Sequence, residues 1–380
     1  MRPDDRPWGV YVHVPWCRAR CPYCAFAVVP GREAPQWRPF VAQVAREHAL
    51  RRPWFTGAPS TVYFGGGTPS RLPPQALRAV LDAVGPAAGA EVTAEANPED
   101  LDQEWVDAAV EAGIDRLSIG VQSFDGPVAR RLGRGHTQRT AEDAIRRVSR
   151  SSFRTFSVDL IFAVPGQTLA QLDADLDRAI ALGAPHVSIY GLTFEDGTRF
   201  ERVRALGKLT PADDDLWRTM YDRIVERLGA AGIERYEVSN FARPGHRSAH
   251  NRLYWTDAPY LGLGPSAHGY APDGRRWVNL AELDRYLAAA DPLDTLERPS
   301  PEAAATDLVV SSLRAIDGLD RARLRTSTGL DLDDDVVERL VRAGAIERRA
   351  EHLALTAEGF PVCDGVVARL VDSLGPARAR

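Results

Sequence analysis

This sequence lacks the features of secreted and membrane-spanning proteins. Its 380 residues contain no apolar run of about 18 residues. The opening stretch, MRPDDRPWGVYV, has no apolar segment of signal-peptide length. Only four cysteines are present, which excludes a disulfide scaffold. We therefore expect a cytoplasmic protein that neither spans a membrane nor is secreted by the signal-peptide route.

An excess of positive charge is also missing. The net charge is −5 and the pI is near 6.0, whereas a nucleic-acid-binding protein normally presents a basic surface. Residues 301–380 carry 11 arginines against 14 acidic residues. We expect no nucleic acid among the partners, and the charge disfavours a zinc-stabilised nucleic-acid-binding module.

Three of the four cysteines lie in one short stretch. Cys17, Cys21 and Cys24 have the spacing C-x3-C-x2-C and follow a short apolar strand. Three thiolates can hold three corners of a [4Fe–4S] cluster, which leaves one iron open to bind S-adenosylmethionine (SAM). The alternative is a zinc site, which needs a fourth nearby Cys or His. The next His is His48, and the remaining cysteine is Cys363.

Apolar strands and amphipathic helices alternate along the first half of the chain. After the strand that precedes the cysteines, further strands are predicted at 61–64, 92–95, 116–119, 155–162 and 186–190, with helices between them. This order predicts an α/β fold with a parallel sheet and outer helices. Eight units would close a full barrel, so six predict a partial (β/α)6 barrel.

Polar residues interrupt these strands near their C-terminal ends, where sites form in parallel α/β folds. They are His13, the turn from Gly65 to Thr68, Glu95, Gln122 and Asp159. The glycine turn lets backbone approach a ligand closely, although βα turns are also glycine-rich for packing reasons. Glu95 can accept from an ammonium group or form a structural ion pair with an arginine.

A different pattern follows residue 240. The segment His250-Asn-Arg-Leu-Tyr-Trp255 precedes a glycine-rich stretch that ends at His268. On a helix, His250 and Tyr254 would share one face. They form either part of a ligand site or an aromatic core cluster with one satisfied histidine.

Three domain spans are predicted. Residues 1–240 form the partial barrel, 241–297 hold the HNxxYW segment and a glycine-rich connection, and 298–380 form a mainly helical, winged-helix-like domain. The last span has helical patterns followed by a hairpin around Arg349-Ala-Glu351. Its acidic charge favours a lid or a docking domain over DNA binding.

The motifs together resemble a known family. The three cysteines, GGGTPS, EANP, GVQSF, LGRGH, VDLIF and PGQT occur in the order found in radical SAM proteins of the coproporphyrinogen-dehydrogenase-like group. The resemblance implies a [4Fe–4S] cluster on Cys17, Cys21 and Cys24. It also implies SAM-contacting positions at Tyr11, Tyr23, Gly66, Gly67, Thr68, Glu95, Gln122, Arg134 and Asp159.

Within this group the chain resembles the haem-chaperone branch more than the oxygen-independent dehydrogenase branch. The dehydrogenases have a further Cys two residues after the last cluster ligand, where this chain has Phe26. The HNxxYW signature marks the chaperone branch and implies haem contacts by His250, Asn251, Tyr254 and Trp255. Most relatives have Asp-Phe after the third Cys, where this chain has Ala25-Phe26.

The resemblance thus implies a haem chaperone with a cluster, SAM and haem as cofactors. Its partners would be haem-accepting apoproteins, membrane-associated ones among them. The alternative activity is oxidative decarboxylation of coproporphyrinogen III propionates by radical SAM chemistry.

Overall fold

The computed structural model describes residues 6–31 and 37–377. Parts of the predicted spans 1–240 and 298–380, namely 1–5, 32–36 and 378–380, lie outside the described residues. The strands are β1 (Gly9–Val14), β2 (Trp16–Cys17), β3 (Val29–Pro30), β4 (Thr61–Gly66), β5 (Glu91–Ala96), β6 (Arg116–Gln122), β7 (Thr155–Phe162), β8 (His186–Gly191), β9 (Glu234–Arg235), β10 (Asn240–Ala242), β11 (Tyr260–Leu263), β12 (His268–Tyr270), β13 (Arg276–Asn279), β14 (Leu293–Glu297), β15 (Leu319–Asp320), β16 (Leu330–Leu332), β17 (Ile346–Arg349), β18 (His352–Leu355) and β19 (Leu374–Pro376).

The helices are α1 (Trp37–Arg51), α2 (Pro74–Val84), α3 (Gln103–Glu111), α4 (Gly126–Arg131), α5 (Gln138–Ser149), α6 (Leu169–Ala181), α7 (Arg199–Ala205), α8 (Asp214–Ala230), α9 (Ala249–Trp255), α10 (Leu283–Ala288), α11 (Pro301–Ser312), α12 (Arg321–Thr328), α13 (Asp334–Arg342) and α14 (Cys363–Val371). No described helix is both long and apolar enough to cross a bilayer.

Six parallel strands form the centre of the molecule. They are ordered β1, β4, β5, β6, β7 and β8, each hydrogen-bonded in parallel to the next. Because the strands are parallel, their C-terminal ends share one edge, here called the rim, and their N-terminal ends share the opposite edge, here called the floor. The predicted α/β class with a parallel sheet of six central strands is confirmed.

The outer helices are held by apolar faces of helical period. In α5, Ala141, Ala144, Ile145 and Val148 are all buried, at the i, i+3, i+4 and i+7 spacing of one helix face. Burying each large side chain of such a face stabilises the fold by about 1.5–3 kcal/mol. The start of α6 is fixed by a capping box between Thr168 and Gln171.

The sheet is wider than the sequence pattern predicts. Strand β11 adds to β1 in parallel, and β12, β13 and β14 continue that edge as an antiparallel extension. At the other edge, β10 and β9 pair antiparallel after β8. The span 241–297, predicted to hold a helical segment and a connection, therefore supplies four strands to the central sheet.

The C-terminal part has the predicted order of helices followed by a hairpin. Helices α11 to α13 come first, the antiparallel pair β17–β18 and α14 follow, and β19 after α14 pairs with β16. Arg323 ties this part to the segment after α9, because it donates to the carbonyl oxygens of Thr256 at 2.7 Å and of Asp257 at 3.1 Å. Cys363 is buried at the start of α14, as predicted for a small apolar residue.

Candidate functional site

The cysteine loop stands on the rim. Strand β2 begins two residues after β1 ends, and it pairs with β3, so the chain between Cys17 and Pro30 is held as a closed loop. Within it, the N–H of Cys24 donates to the carbonyl oxygen of Cys21 at 3.1 Å. The three cysteines are free thiols with partly accessible side chains. The loop thus presents three sulfur atoms at the end of the sheet where sites in parallel folds form.

Two side chains from outside the cysteine loop donate to these sulfur atoms. Thr68 Oγ1 lies 3.5 Å from Cys17 Sγ, and Arg134 Nη1 lies 3.8 Å from Cys21 Sγ. Asn97 links the two donors, because it donates to Thr68 Oγ1 at 3.3 Å and accepts from Arg134. A hydroxyl and a guanidinium directed at sulfur suit thiolate ligands, whose electronics such hydrogen bonds tune.

The surroundings of Cys17 and Cys24 disfavour the ionised form of their thiols. Burial raises the pKa of Cys17 and of Cys24, so both are protonated near neutrality and lose their protons when a metal binds. Across residues 6–31 and 37–377, no three Cys, His, Asp or Glu side chains are grouped to hold a single metal ion. The sulfur donors with their hydrogen bonds from a hydroxyl and a guanidinium fit an iron–sulfur cluster.

The glycine turn after β4 has a packing role. Gly66 has φ of +101°, and a Cβ there would lie 2.5 Å from the His13 ring. A Cβ on Gly67 would lie 2.7 Å from the carbonyl oxygen of Val14. The N–H of Gly67 donates to that oxygen at 2.7 Å, and the N–H of Gly66 donates to Glu95 at 3.2 Å. Both N–H groups are thus occupied, and the glycines let the turn lie against the cysteine loop.

The inner wall of the barrel is marked by accessible positions in otherwise buried strands. Each of the six central strands contains one or two residues that are not buried, while the others in that strand are. These residues are Tyr11, Tyr63, Glu95, Gly120, Gln122, Asp159, Tyr190 and Gly191. Tyr190 has 44% of its surface exposed. Aromatic rings, carboxyls and an amide therefore line an accessible space enclosed by the strands.

Two carboxyls on this wall have raised pKa values because they are half-buried, and the loss of surrounding water disfavours their charged forms. The pKa of Glu95 rises to about 7, and its partners are the Tyr63 hydroxyl at 2.9 Å and the N–H of Gly66. Asp159 accepts from the hydroxyls of Ser118 and Ser157 at 2.7 and 2.8 Å, and its pKa is also raised by burial. The partners of Glu95 in the described part of the chain are thus a hydroxyl and a backbone N–H.

Arg134 and Tyr23 lie beside the cluster loop. Arg134 donates to the carbonyl oxygen of Gly120 at 2.6 Å as well as to Cys21, so it connects the loop to β6. Burial is the main cause that raises the pKa of Tyr23, and the nearby Cys21 adds to it. Gln122 stands at a bulge in β6 with φ of +67°, a left-handed conformation that is uncommon outside glycine and is frequent at functional sites.

The HNxxYW segment lies at the opposite end of the barrel. It forms α9, which directly precedes β11, and β11 runs parallel to β1. His250 Nδ1 lies 2.7 Å from Thr61 Oγ1, and its backbone N–H donates to Glu91 at 3.1 Å. Because Thr61 and Glu91 are the first residues of β4 and β5, α9 covers the floor of the barrel rather than the rim.

His250 is a satisfied core residue in this structure. It is 1% exposed, its Nε2 lies 3.0 Å from the Tyr254 hydroxyl, and its ring stacks on Tyr63 with 5.1 Å between centroids. Burial lowers its pKa to about 3. Both ring nitrogens have partners, so the aromatic-core interpretation describes its present state, and binding iron would require at least one hydrogen bond to break.

The other three residues of the signature are more accessible. Asn251, Tyr254 and Trp255 are half-buried, and Tyr254 packs edge-on against Tyr260 with 4.8 Å between centroids. The Nε1 of Trp255 has no hydrogen-bond partner among the described residues. One face of α9 therefore turns toward β11.

Sequence reasoning missed Tyr63, Tyr190 and Glu91. Tyr63 and Tyr190 interrupt apolar strands in the same way as Glu95 and Asp159, so the alternation pattern could have identified them. Glu91 gave no such signal, because it precedes the apolar run of β5. Its role is visible only through its contacts with His250 and with Ser248, whose hydroxyl donates to it at 3.4 Å.

The fold and the cysteine loop define a class of protein. Residues 11–179 match the model of the Radical SAM superfamily, and residues 300–362 match that of the HemN C-terminal domain. The solved structure described as coproporphyrinogen III oxidase (HemN) from Escherichia coli, a radical SAM enzyme, covers 97% of this chain and 90% of its own chain, with a TM-score of 0.81 and 21% identity. The architecture is therefore that of a radical SAM protein.

Comparison with curated proteins defines the family more closely. Heme chaperone HemW of Mycobacterium tuberculosis strain H37Rv is 35% identical, over 96% of this chain and 95% of its own. HemW of Bacillus subtilis strain 168 is 31% identical over 92% and 96%, and HemW of Escherichia coli K12 is 32% identical over 93% and 95%. The chain belongs to the HemW family.

Proposed function

We propose that this protein is a haem chaperone, which binds haem and passes it to acceptor apoproteins. The observation that carries this proposal is the 35% identity, over 96% of the chain, to a protein named heme chaperone HemW. The accessible inner wall with its tyrosines supports it, since aromatic rings offer flat apolar surface to a porphyrin. The acceptors are proposed to be haem proteins in their apo form, membrane-associated ones included.

We propose further that Cys17, Cys21 and Cys24 hold a [4Fe–4S] cluster with SAM beside it. When bound, this pair supplies an electron and a carbon radical. Thr68 and Arg134 would keep their hydrogen bonds to the thiolates. Glu95 would accept from the ammonium group of SAM, and the remaining cofactor contacts are proposed for Tyr11, Tyr23, Gly66, Gly67, Gln122 and Asp159.

The alternative, coproporphyrinogen III dehydrogenation, has weaker support. The likeness to the HemN structure is at 21% identity and concerns the fold alone. At the position where the dehydrogenases are expected to have a further cysteine, this chain has Phe26, whose side chain is 60% exposed. An exposed phenyl ring cannot ligate iron.

Haem titration followed by transfer tests the proposal. Haemin is added to anaerobically reconstituted protein, and we expect a saturable Soret band. The loaded protein is then mixed with increasing amounts of an apo-cytochrome. A transfer rate that rises with acceptor concentration indicates direct delivery, whereas a rate independent of it indicates dissociation into solvent and contradicts a chaperone.

A second incubation checks the alternative directly. The protein is supplied with coproporphyrinogen III, SAM and a reductant under anaerobic conditions. We expect no carbon dioxide and no vinyl-bearing product. Release of carbon dioxide at each turnover would contradict the chaperone proposal and support dehydrogenase activity.

A further inference from the structure

The histidines of the chain differ in whether their ring nitrogens are free. Those that use both for hydrogen bonds are His13, His186 and His250. His136 has Val121 on one ring nitrogen and Glu99 close to the other, and His48 is buried. A buried and hydrogen-bonded imidazole needs rearrangement before it can bind a haem iron.

Three histidines remain. His246 is half-buried and bonds Thr155 through Nδ1 at 2.7 Å. His268 and His352 are exposed, and neither ring has a hydrogen-bond partner within the described residues. His352 lies in the β17–β18 hairpin next to Glu351, on charged surface. His268 is therefore the exposed histidine that belongs to the central sheet.

The loop that presents His268 is firmly held. The N–H of Gly264 donates to the buried carboxyl of Glu47 at 3.0 Å, and the Asn279 amide donates to the same carboxyl at 2.6 Å and to the carbonyl oxygen of Gly264 at 2.9 Å. The hydroxyl of Tyr286 adds a third bond to Glu47 at 2.7 Å. Such buried support fixes the backbone just before His268, as a preorganised ligand site requires.

This loop also lies beside the cluster side of the barrel. Gly264 packs against the backbone of His13, since a Cβ on Gly264 would lie 2.5 Å from the His13 carbonyl oxygen. Burial is the main cause that lowers the pKa of His13. His13 in turn bonds Ala27 of the cysteine loop at 2.8 Å. His268 itself lies opposite Gly262, at the level of Tyr11 in the middle of β1, whereas His250 is at the floor.

The face of the sheet that carries His268 suits a flat apolar ligand. His268 and Tyr270 are two residues apart on β12 and share a face, and their partners on β13 are Val278 and Arg276. These four side chains are half-buried or exposed. The residues of the opposite face, Gly269 and Trp277, are buried. The face therefore combines a free imidazole, a phenol ring, an aliphatic side chain and a guanidinium.

The same face continues to the HNxxYW helix. Tyr270 lies opposite Tyr260 on β11, with 6.5 Å between ring centroids, and Tyr260 packs on Tyr254 of α9. Arg276 lies over the Tyr270 ring at 5.7 Å and pairs with Asp307. A haem seated here would contact the accessible side of the signature segment without displacing the His250 ring from the core.

We propose that His268 is an axial ligand of the haem, and that the face formed by His268, Tyr270, Arg276 and Val278 is part of the haem site. This inference rests on the haem-binding function proposed above. A neutral imidazole nitrogen donates its lone pair to the iron and displaces water or chloride, with no change in oxidation state. Arg276 would exchange the carboxylate of Asp307 for a haem propionate.

The test compares haem binding by two variants that differ only in which exposed histidine is lost. His268→Ala and His352→Ala are each titrated with haemin after anaerobic reconstitution. We expect His268→Ala to shift the Soret band and to weaken binding by about tenfold or more. His352→Ala should bind haem as the wild type does.

Imidazole rescue makes the assignment specific to ligation. In His268→Gly, free imidazole should restore the wild-type Soret position, because it can occupy the space left by the side chain. A His268→Ala protein that melts normally and gives the wild-type spectrum and affinity would overturn the inference. If the wild-type protein itself gives no Soret band, the proposed haem function fails instead.

The variant His250→Ala tests whether the haem iron is bound at the floor of the barrel instead. We expect it to lower thermal stability while the haem it binds keeps the wild-type Soret position. A changed Soret position in His250→Ala, with none in His268→Ala, would assign the iron to the floor and overturn the inference.

Discussion

The rim and the floor of the barrel both carry residues that can bind a metal, but these residues are accessible at the rim and buried at the floor. At the rim, the three cysteines are partly accessible and their sulfur atoms receive hydrogen bonds from Thr68 and Arg134. At the floor, the ring of His250 is buried and both its nitrogens are already bonded. One motif is open to a ligand and the other closes the barrel.

The difference shows that residue type alone does not make a site. A thiol or an imidazole binds metal only if its donor atom is free and reachable, and a buried hydrogen bond costs about 1–3 kcal/mol to leave unsatisfied. His250 would incur that cost at whichever ring nitrogen binds iron, by losing either Thr61 or Tyr254. The sulfur atoms of Cys17 and Cys21 accept hydrogen bonds, which thiolates bound to iron can also accept.

The largest effect is expected from the cysteines of the rim. Replacing any one of Cys17, Cys21 or Cys24 by Ala should abolish bound iron and the visible absorption of the cluster, because two thiolates cannot hold it. Iron analysis of anaerobically reconstituted protein measures this. Cys363→Ala is the matched control, since Cys363 is buried in α14 and should leave iron loading unchanged. Equal iron loss in Cys363→Ala would contradict the assignment of the cluster to Cys17, Cys21 and Cys24.

A smaller effect is expected from the glycine turn. Gly66→Val places a branched side chain at φ of +101° and a Cβ 2.5 Å from the His13 ring, which costs on the order of 1–3 kcal/mol in strain. The turn must move, and we expect SAM to bind about tenfold more weakly. The change that SAM causes in the EPR spectrum of the reduced cluster measures this.

Gly229→Val is the control for that substitution. Gly229 lies in α8, and a Cβ there meets nothing within 4 Å. It should bind SAM as the wild type does. Wild-type SAM binding by Gly66→Val would show that the turn does not shape the SAM site.

The smallest effect is expected at the floor, as a dependence of stability on pH. The pKa of His250 is lowered to about 3 in the folded protein from an ordinary value of 6.5. Between those values the unfolded chain takes up a proton that the folded protein does not. The contribution of His250 to the free energy of unfolding is therefore fully present above pH 6.5. It falls as the pH drops toward 3, by up to about 1.4 kcal/mol per pH unit.

His250→Gln should remove that part of the pH dependence. Urea denaturation of the wild type and of the variant is measured at several pH values between about 7.5 and about 5. The slope of unfolding free energy against pH is then compared between the two proteins. His352→Gln, at an exposed residue, should keep the wild-type slope. An unchanged slope in His250→Gln would mean that His250 is solvated rather than sealed in the floor.

Much of the fold could be predicted from the sequence because its signals are local. The six central strands and their helices have alternating apolar runs, and each predicted strand lies within or close to the observed one. The cysteine spacing and the glycine turn placed the rim correctly. The strands β11 to β14 could not be predicted, because three of them are at most four residues long and the region reads as glycine-rich turns.

The candidate site was predicted in part for the same reason. Glu95 and Asp159 could be identified as polar interruptions of apolar strands, and the structure places both on the inner wall. Glu91 and Glu47 could not, because their importance comes from partners 159 and 217 residues away in the chain. Sequence patterns of helical or strand period contain no information at such distances.

The sequence by itself determined the chemistry at hand: three cysteines at cluster spacing, a parallel α/β order and an HNxxYW helix. Only the tertiary structure decided which of those groups are free to act. It placed the cysteines at the C-terminal ends of the strands and α9 at the N-terminal ends, and it left His268 exposed while His250 is enclosed. The physical reason is that burial and hydrogen-bond satisfaction depend on the whole set of neighbours, which the chain brings together only when it folds.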